Sequence, residues 1–258
     1  MIAECASSWN FSLDPIGNAY RMIEAAKECG ADAAKFQWVS DVNEMAYRRN
    51  DTNPRNYDII SYHFEWLEKL KAKCDEVGIE FMCTVFLTKD IAKIEPLVKR
   101  FKIASAESTD LEFTRAHYRY EKEIIISHGF GSSPSSRNAW SKYLHCVVSY
   151  PTLIEQMNIG RIRNGFDGLS DHSTSMRTGG LAVALGASIC EKHVRLEDTP
   201  NNNPDYPHSL PCDINVGASW SNFKIYVANI REAELAMGNG ENVMMSCEDQ
   251  NQKRRVRG

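Results

Sequence analysis

The order of strand-like and helix-like segments constrains this chain more than any other feature of its 258 residues. Short apolar runs, rich in β-branched and aromatic residues, predict strands that are buried on both faces. They cover residues 2–5, 33–38, 80–86, 101–105, 123–128, 143–150, 168–172 and 188–194. Helical patterns separate them. Eight strands in alternation with helices predict an α/β fold, a single (β/α)8 TIM barrel with parallel strands.

The helix signals agree with this order. Asp14 is a predicted N-cap with Pro15 at the first helical position, and Gly30 follows the end of that helix. Further helices are predicted over residues 57–77, 88–99, 110–118, 174–185 and 219–237. Residues 129–141 are rich in Gly and Ser, so we expect the fifth helix to be reduced or missing. The absence of a GxGxxG or P-loop motif argues against the alternative fold, an open sheet that binds a nucleotide.

Composition narrows the function classes. The formal net charge of -4 argues against nucleic-acid binding, which needs a basic surface. No apolar span of about 20 residues and no signal peptide is visible, so no membrane association is expected. Eight cysteines without a CxxC pair predict reduced thiols in a cytoplasmic protein. The barrel is predicted to occupy residues 1–238, and residues 239–258 to form a tail with a basic, frayed end.

Polar side chains stand near the ends of nearly all the predicted strands. They are Glu4, Lys35, Gln37, Thr84, Lys102, Ser105, Glu107, Ser127, His128, His145, Tyr150, Ser170, Asp171, His172, Glu191, Lys192 and His193. In a barrel the C-terminal strand ends converge on one mouth. Charges that converge in a partly buried cavity are costly unless they are paired or used. We therefore predict an active site at this mouth.

Side-chain alternation makes the prediction more specific. Ser170 and His172 share one face of their strand, and Glu191 and His193 share one face of the next. Two imidazoles with nearby carboxylates predict a divalent metal site, which suits Mn²⁺, Fe²⁺, Co²⁺ or Zn²⁺. Lys35 in a buried strand predicts either a Schiff base or an anion contact, and the same holds for Lys102.

Seven segments, in order along the chain, resemble the sialic acid synthase (N-acetylneuraminate synthase) family, the phosphoenolpyruvate-dependent nonulosonate synthases. They are IAE at 2–4, GADAAKFQ at 30–37, KIASAE at 102–107, IIISHG at 124–129, HCVVSYPT at 145–152, GLSDH at 168–172 and ALGASICEKH at 184–193. The resemblance implies a transferase that condenses phosphoenolpyruvate with the open-chain aldehyde of an N-acetylated amino sugar, such as N-acetylmannosamine. The products would be a nonulosonic acid and phosphate.

The resemblance also implies roles for individual residues. His172 and His193 match the family's metal ligands, with Mn²⁺ the usual metal. Acidic positions near the reacting centre are Glu4, Glu107 and Glu191. Predicted contacts to phosphoenolpyruvate or the sugar are Lys35, Gln37, Thr84, Lys102, Ser105, Ser127, Tyr150, Ser170 and Asp205. A Schiff-base role for the lysines is disfavoured by this resemblance, and a homodimer is expected.

The chain departs from the family pattern at several points. Val148 stands where the family has a polar residue, and the antifreeze-like C-terminal domain of full-length members is expected to be absent. These departures leave two alternatives open. One is a catalytically weak relative that binds a sugar phosphate or partner subunits, and the other is a different metal-dependent sugar-phosphate aldolase or isomerase.

Overall fold

The computed structural model of the protein describes residues 1–134, 138–213 and 222–241. Within these ranges eight parallel strands form a closed barrel, because each strand pairs with the next and the last pairs with the first. The strands are β1 (Ile2–Ala6), β2 (Ala33–Trp38), β3 (Glu80–Val85), β4 (Phe101–Ile103), β5 (Ile124–His128), β6 (Ser141–Cys146), β7 (Gly168–Asp171) and β8 (Ile189–Arg195). A short β9 (Leu210–Pro211) pairs with β8 outside the barrel. The predicted TIM barrel is confirmed.

The barrel interior has an apolar floor below a polar layer. Ile2, Ala33, Met82, Ile125 and Leu144 form a separate buried cluster. Because side chains alternate along a strand, the residue two positions further on points to the same interior. These later positions are Glu4, Lys35, Thr84, Ser127 and Cys146, and all of them are buried. Strand periodicity therefore places the polar layer at the C-terminal end of the barrel.

The helices enclose the barrel, and most of their apolar faces join the main core. They are α1 (Pro15–Glu28), α2 (Val42–Arg48), α3 (Glu65–Val77), α4 (Thr88–Ile94), α5 (Leu111–Tyr118), α6 (Thr178–Ala184) and α7 (Asn222–Met237). The prediction of one helix over residues 57–77 is wrong. A 3₁₀ helix over Pro54–Ile60 and the separate α3 occupy this region, and α2 was not predicted at all. No helix among the described residues is both long and apolar enough to span a bilayer.

The connections after β5 and β6 contain little regular structure. Residues 129–134 and 138–140 form no helix, as expected for a reduced fifth helix, and residues 135–137 lie outside the described residues. The β6 strand ends at Cys146, four residues earlier than predicted, and two 3₁₀ helices, Ile154–Gln156 and Ile159–Asn164, lead to β7. Seven cysteines are buried within the described ranges. Cys247 and the predicted basic tail lie outside the described ranges.

The start of α1 matches the N-cap prediction and provides a stability test. The Asp14 side chain accepts a hydrogen bond of 2.9 Å from the backbone N–H of Gly17, and Pro15 is the first helical residue. We expect Asp14→Ala to lower the free energy of unfolding by about 1 kcal/mol, since an N-cap acceptor is lost. Urea unfolding measures this change. Asp14→Ser should retain most of the stability, and equal losses in the two variants would contradict the capping role.

Candidate active site

A cavity of about 370 Å³ opens at the C-terminal ends of the barrel strands. Its wall contains these predicted site residues: Glu4, Lys35, Gln37, Lys102, Ser105, Ser127, Tyr150, Ser170, His172, Glu191, His193 and Asp205. Thr84 and Glu107 do not line the cavity. Each lies one contact behind it, since Thr84 accepts a hydrogen bond of 3.1 Å from Lys35 and Glu107 pairs with Arg49. The fold therefore brings the predicted site together.

The barrel register explains why the charged groups meet. Glu4 on β1 is aligned with Lys35 on β2 and with His193 on β8. Ser170 on β7 is aligned with Glu191 on β8. Aligned residues of neighbouring parallel strands present their side chains to the same side of the sheet. Strand order and parity are thus enough to place carboxylates, lysines and imidazoles around one cavity.

Two buried lysines share one carboxylate at the base of the cavity. The Nζ atom of Lys35 forms an ion pair with Glu4 and lies 3.5 Å from Oε2 of Glu191. The Nζ atom of Lys102 lies 3.7 Å from Oε1 of Glu191 and donates a hydrogen bond of 2.8 Å to the hydroxyl of Ser127. Cations beside short hydroxyl groups are suited to bind a phosphate or a carboxylate.

The protonation states of the residues at the base of the cavity follow from burial and charge. Burial lowers the pKa of Lys35 to about 8, because charging an amine away from water is unfavourable. Burial acts to raise the pKa of Glu191, but the charges of Lys102 and Lys35 outweigh it and hold that pKa below its usual value. Glu191 is therefore ionised at neutral pH, and Ser170 donates a 3.0 Å hydrogen bond to it.

Three histidines and one aspartate form a second group on the cavity wall. The ring centroids of His172 and His193 lie 5.4 Å apart, and those of His193 and His208 lie 4.5 Å apart. His172 donates from Nδ1 to the backbone oxygen of Val147 at 2.9 Å, which leaves Nε2 as its acceptor nitrogen. Burial lowers the pKa of His193 to about 4, so this ring is neutral at physiological pH.

Asp205 is oriented toward two of these rings. Its Oδ2 atom accepts a hydrogen bond of 2.8 Å from the backbone N–H of Ser7. Its Oδ1 atom lies 3.3 Å from Nδ1 of His193 and 3.4 Å from Nε2 of His208. Ligand atoms of His193, Asp205 and His208 all lie within 4.8 Å of one another. Imidazoles with one carboxylate fit a divalent cation such as Fe²⁺, Mn²⁺, Co²⁺ or Zn²⁺.

The parity prediction holds for the neighbours of these residues. Asp171 and Lys192 alternate with the cavity residues and point out of the barrel interior. The Nζ atom of Lys192 lies 3.3 Å from Oδ1 of Asp171, and both side chains are fully buried. Asp171 also accepts hydrogen bonds from Thr178 and Tyr226. This pair therefore links β7 and β8 to α6 and α7 and does not face the cavity.

Sequence reasoning missed two charged or titratable residues of the cavity wall. Arg49 follows the unpredicted α2, and its guanidinium lies 2.5 Å from Oε1 of Glu107. Burial raises the pKa of Glu107, although the charge of Arg49 opposes the shift. His208 lies in the loop after β8, three residues beyond Asp205. For His208, the three-residue spacing from Asp205 was the only sequence feature that could have indicated a place in the site. For Arg49, no feature of the neighbouring sequence indicated that it lines the cavity.

The comparison with known families agrees with this geometry. A sequence profile of the NeuB family matches residues 22–242. The chain belongs to the NeuB family. This finding confirms the resemblance to sialic acid synthases and makes the chain a carbon–carbon bond-forming synthase.

Relatives and a solved structure cover most of the chain. The pseudaminic acid synthase of Campylobacter jejuni serotype O:2 is 30% identical, and the match covers 93% of this chain and 75% of that protein. The N,N'-diacetyllegionaminic acid synthase of Legionella pneumophila is 29% identical over 93% of this chain and 74% of its own length. The N-acetylneuraminic acid synthetase of Leptospira borgpetersenii, solved with citrate, superposes with a TM-score of 0.81 at 23% identity, covering 98% of this chain and 90% of that one. That structure supports the barrel fold.

Proposed function

We propose that this NeuB-family chain condenses phosphoenolpyruvate with the open-chain aldehyde of an N-acetylated amino sugar, such as N-acetylmannosamine. The products are a nonulosonic acid and phosphate. The observation that carries this proposal is the placement of two buried lysines and the imidazoles of His172 and His193 in a single cavity. The relatives named as pseudaminic and legionaminic acid synthases support the same class of reaction.

The base of the cavity is proposed to bind the donor. Lys35 and Lys102 neutralise its phosphate and carboxylate groups, while Ser105, Ser127 and Ser170 donate hydrogen bonds from their hydroxyls. Thr84 orients Lys35 through its hydrogen bond. Holding the donor in this way places its methylene carbon toward the imidazoles and lowers the entropic cost of the encounter with the sugar.

The opposite wall is proposed to bind the sugar aldehyde, through Gln37, Tyr150 and Asp205. His172 and His193 would hold a divalent cation, proposed to be Mn²⁺. This cation would polarise the aldehyde oxygen. The carbon–carbon bond forms between the donor methylene and the aldehyde carbon. Water then adds to the former enol carbon, and phosphate leaves with cleavage of its C–O bond.

The three carboxylates are proposed to position the charged groups and the water of this reaction. Glu107 is proposed to act through Arg49, because it pairs with that guanidinium and does not line the cavity itself. Glu191 stays ionised between the two lysines, and its negative charge favours the protonated form of Lys35 for donor binding. Glu4 accepts a hydrogen bond from the N–H of Ala6 and pairs with Lys35, so it is suited to orient the attacking water.

Broader features of the protein complete the proposal. We propose that residues 1–238 form one synthase domain and that the protein acts as a homodimer in the cytoplasm. Seven buried cysteines without a disulfide support a reducing compartment.

Phosphate release tests the proposal directly. Purified protein should release phosphate only when phosphoenolpyruvate, an N-acetylated amino-sugar aldehyde and Mn²⁺ are all present, and a chelator should stop the release. N-acetylmannosamine and the amino-sugar precursors of legionaminic and pseudaminic acids form the acceptor panel. Activity with pyruvate in place of phosphoenolpyruvate would indicate an aldolase. No turnover with any acceptor would favour a catalytically weak relative, for which Val148 in the cavity wall is the supporting observation.

The pKa of Lys35 predicts an alkaline limit to this activity. Lys35 is protonated below about pH 8 and becomes neutral as the pH rises through that value, because burial lowers its pKa. An anionic donor then loses one of its two cations. We expect kcat/KM for phosphoenolpyruvate to fall above about pH 8, approaching tenfold per pH unit. A pH profile measures this, and an unchanged alkaline limb in Lys35→Arg, whose guanidinium stays charged, would assign the limb to another group.

A further inference from the structure

His208 is a buried histidine to which neither the barrel nor the family resemblance assigned a role. Its exposed fraction is 4%, and it lines the cavity. Neither of its ring nitrogens has a hydrogen-bond partner among the described residues, and Nδ1 of His193 has none either. A buried nitrogen without a partner costs free energy comparable to a lost hydrogen bond. One unpartnered nitrogen on each of two neighbouring rings, within reach of the same carboxylate oxygen, indicates a missing partner that both rings share.

The neighbouring carboxylate is positioned to bind the same partner. Ser7 binds one oxygen of Asp205 through its backbone N–H, so this carboxylate has a fixed orientation. The other oxygen lies 3.3 Å from His193 and 3.4 Å from His208. Two imidazoles and one carboxylate are a recurrent ligand set for divalent transition metals.

The position of His172 makes this group distinct from the pair predicted by the sequence. His172 lies 6.2 Å from His208 between ring centroids, and its Nδ1 atom is bound to the backbone of Val147. Its ligand atoms are not part of the group whose members lie within 4.8 Å of one another. The centroid of the Tyr150 ring lies 4.2 Å from that of His172 and 5.0 Å from that of His208, so Tyr150 packs against both rings.

We propose that His208 is a metal ligand in this chain and that it binds a divalent cation together with His193 and Oδ1 of Asp205. The inference deepens the proposed function by changing the ligands of its cation, since His208 and Asp205 take the place that was assigned there to His172. It depends on the proposed function only for the role of the cation in turnover. The binding of the cation itself depends on the geometry alone. An additional imidazole favours metals later in the Irving–Williams order, so the site should discriminate more strongly for Co²⁺ over Mn²⁺ than a site without His208.

Direct binding measurements on the full chain test the proposal. The dissociation constant is measured for Mn²⁺ alone by electron paramagnetic resonance and for Co²⁺ alone by visible absorption. We expect His208→Gln to weaken the binding of both metals by about tenfold or more, with the larger loss for Co²⁺. His63→Gln is the matched control, because His63 is exposed and lies outside the cavity; it should bind both metals as the wild type does.

The outcomes separate this proposal from the proposed function. Unchanged affinity in His208→Gln, together with weaker binding in His172→Gln, would overturn the role of His208. If His208→Gln does not fold, X-ray absorption of the Co²⁺-loaded wild type counts the imidazole ligands. Scattering from His172 and His193 as the only imidazoles would likewise overturn the proposal. Wild-type protein that binds Co²⁺ through His208 but releases no phosphate would uphold this inference and contradict the proposed function.

Discussion

Replacing Lys102 by methionine is expected to lower kcat/KM for phosphoenolpyruvate by about a thousandfold. Lys102 is 2% exposed, and its Nζ atom is held by the hydroxyl of Ser127 and the backbone oxygen of Ile103. Methionine retains the length and apolar volume of the side chain but removes the cation. The phosphate and carboxylate of the donor would then lie beside the negative charge of Glu191, with Lys35 as the remaining lysine to neutralise them. Loss of one oriented donor in a buried site typically costs about 10²–10³ in rate, and loss of a charge adds to this.

Steady-state kinetics and a stability control test this expectation. Lys99→Met, three residues earlier and exposed, should leave kcat/KM within about twofold of the wild type, as is usual for a surface substitution. Thermal unfolding must show that Lys102→Met remains folded. A folded Lys102→Met variant that retains more than about a tenth of kcat/KM would contradict the assignment of Lys102 to donor binding.

Lys192→Met is expected to lower the free energy of unfolding by about 3–5 kcal/mol, the largest change in stability predicted here. Lys192 and Asp171 are both fully buried, and Lys192 also donates to the backbone oxygens of Asp171 and Ser173. Removing the cation leaves the carboxylate of Asp171 in a low-dielectric environment. Hydrogen bonds from Thr178, Tyr226 and the N–H of Ser173 remain. Among the described residues, however, no positive charge is left beside this carboxylate.

A double-mutant cycle distinguishes the ion pair from simple packing. Asp171→Asn in the Lys192→Met background removes the uncompensated charge, so the double variant should be more stable than Lys192→Met alone. Urea unfolding of the four proteins gives the coupling energy. Additive losses in the two single variants would show that the two charges do not stabilise one another and would contradict the expected cost.

The barrel and most of its cavity could be predicted because both depend on local periodicity. Apolar runs such as residues 124–126 indicate a strand buried on both faces. Once the strands are parallel and closed, alternation decides which side chains reach the interior. Ser170, Glu191 and His193 line the cavity for this reason, while Asp171 and Lys192 pack against α7. Neighbouring residues therefore have different roles because side chains alternate between the two faces of a strand.

Positions in loops could not be predicted in the same way. Glu107 was predicted at the reacting centre, but it lies behind Arg49. Arg49 reaches the cavity only because α2 lies between β2 and the 3₁₀ helix at Pro54–Ile60. A loop has no periodicity that relates its residues to the barrel axis, so the direction of its side chains depends on what it packs against.

Residue order alone predicted the parallel barrel, the polar layer at its C-terminal end and the convergence of lysines, carboxylates and imidazoles there. The folded chain was needed to show that the ring centroids of His208 and His193 lie 4.5 Å apart and that Asp205 is directed at both rings. The physical reason is the range of the interactions. Strand alternation is a property of adjacent residues, whereas the approach of a loop to a strand depends on hydrogen bonds such as that from Ser7 to Asp205, which joins residues 198 positions apart.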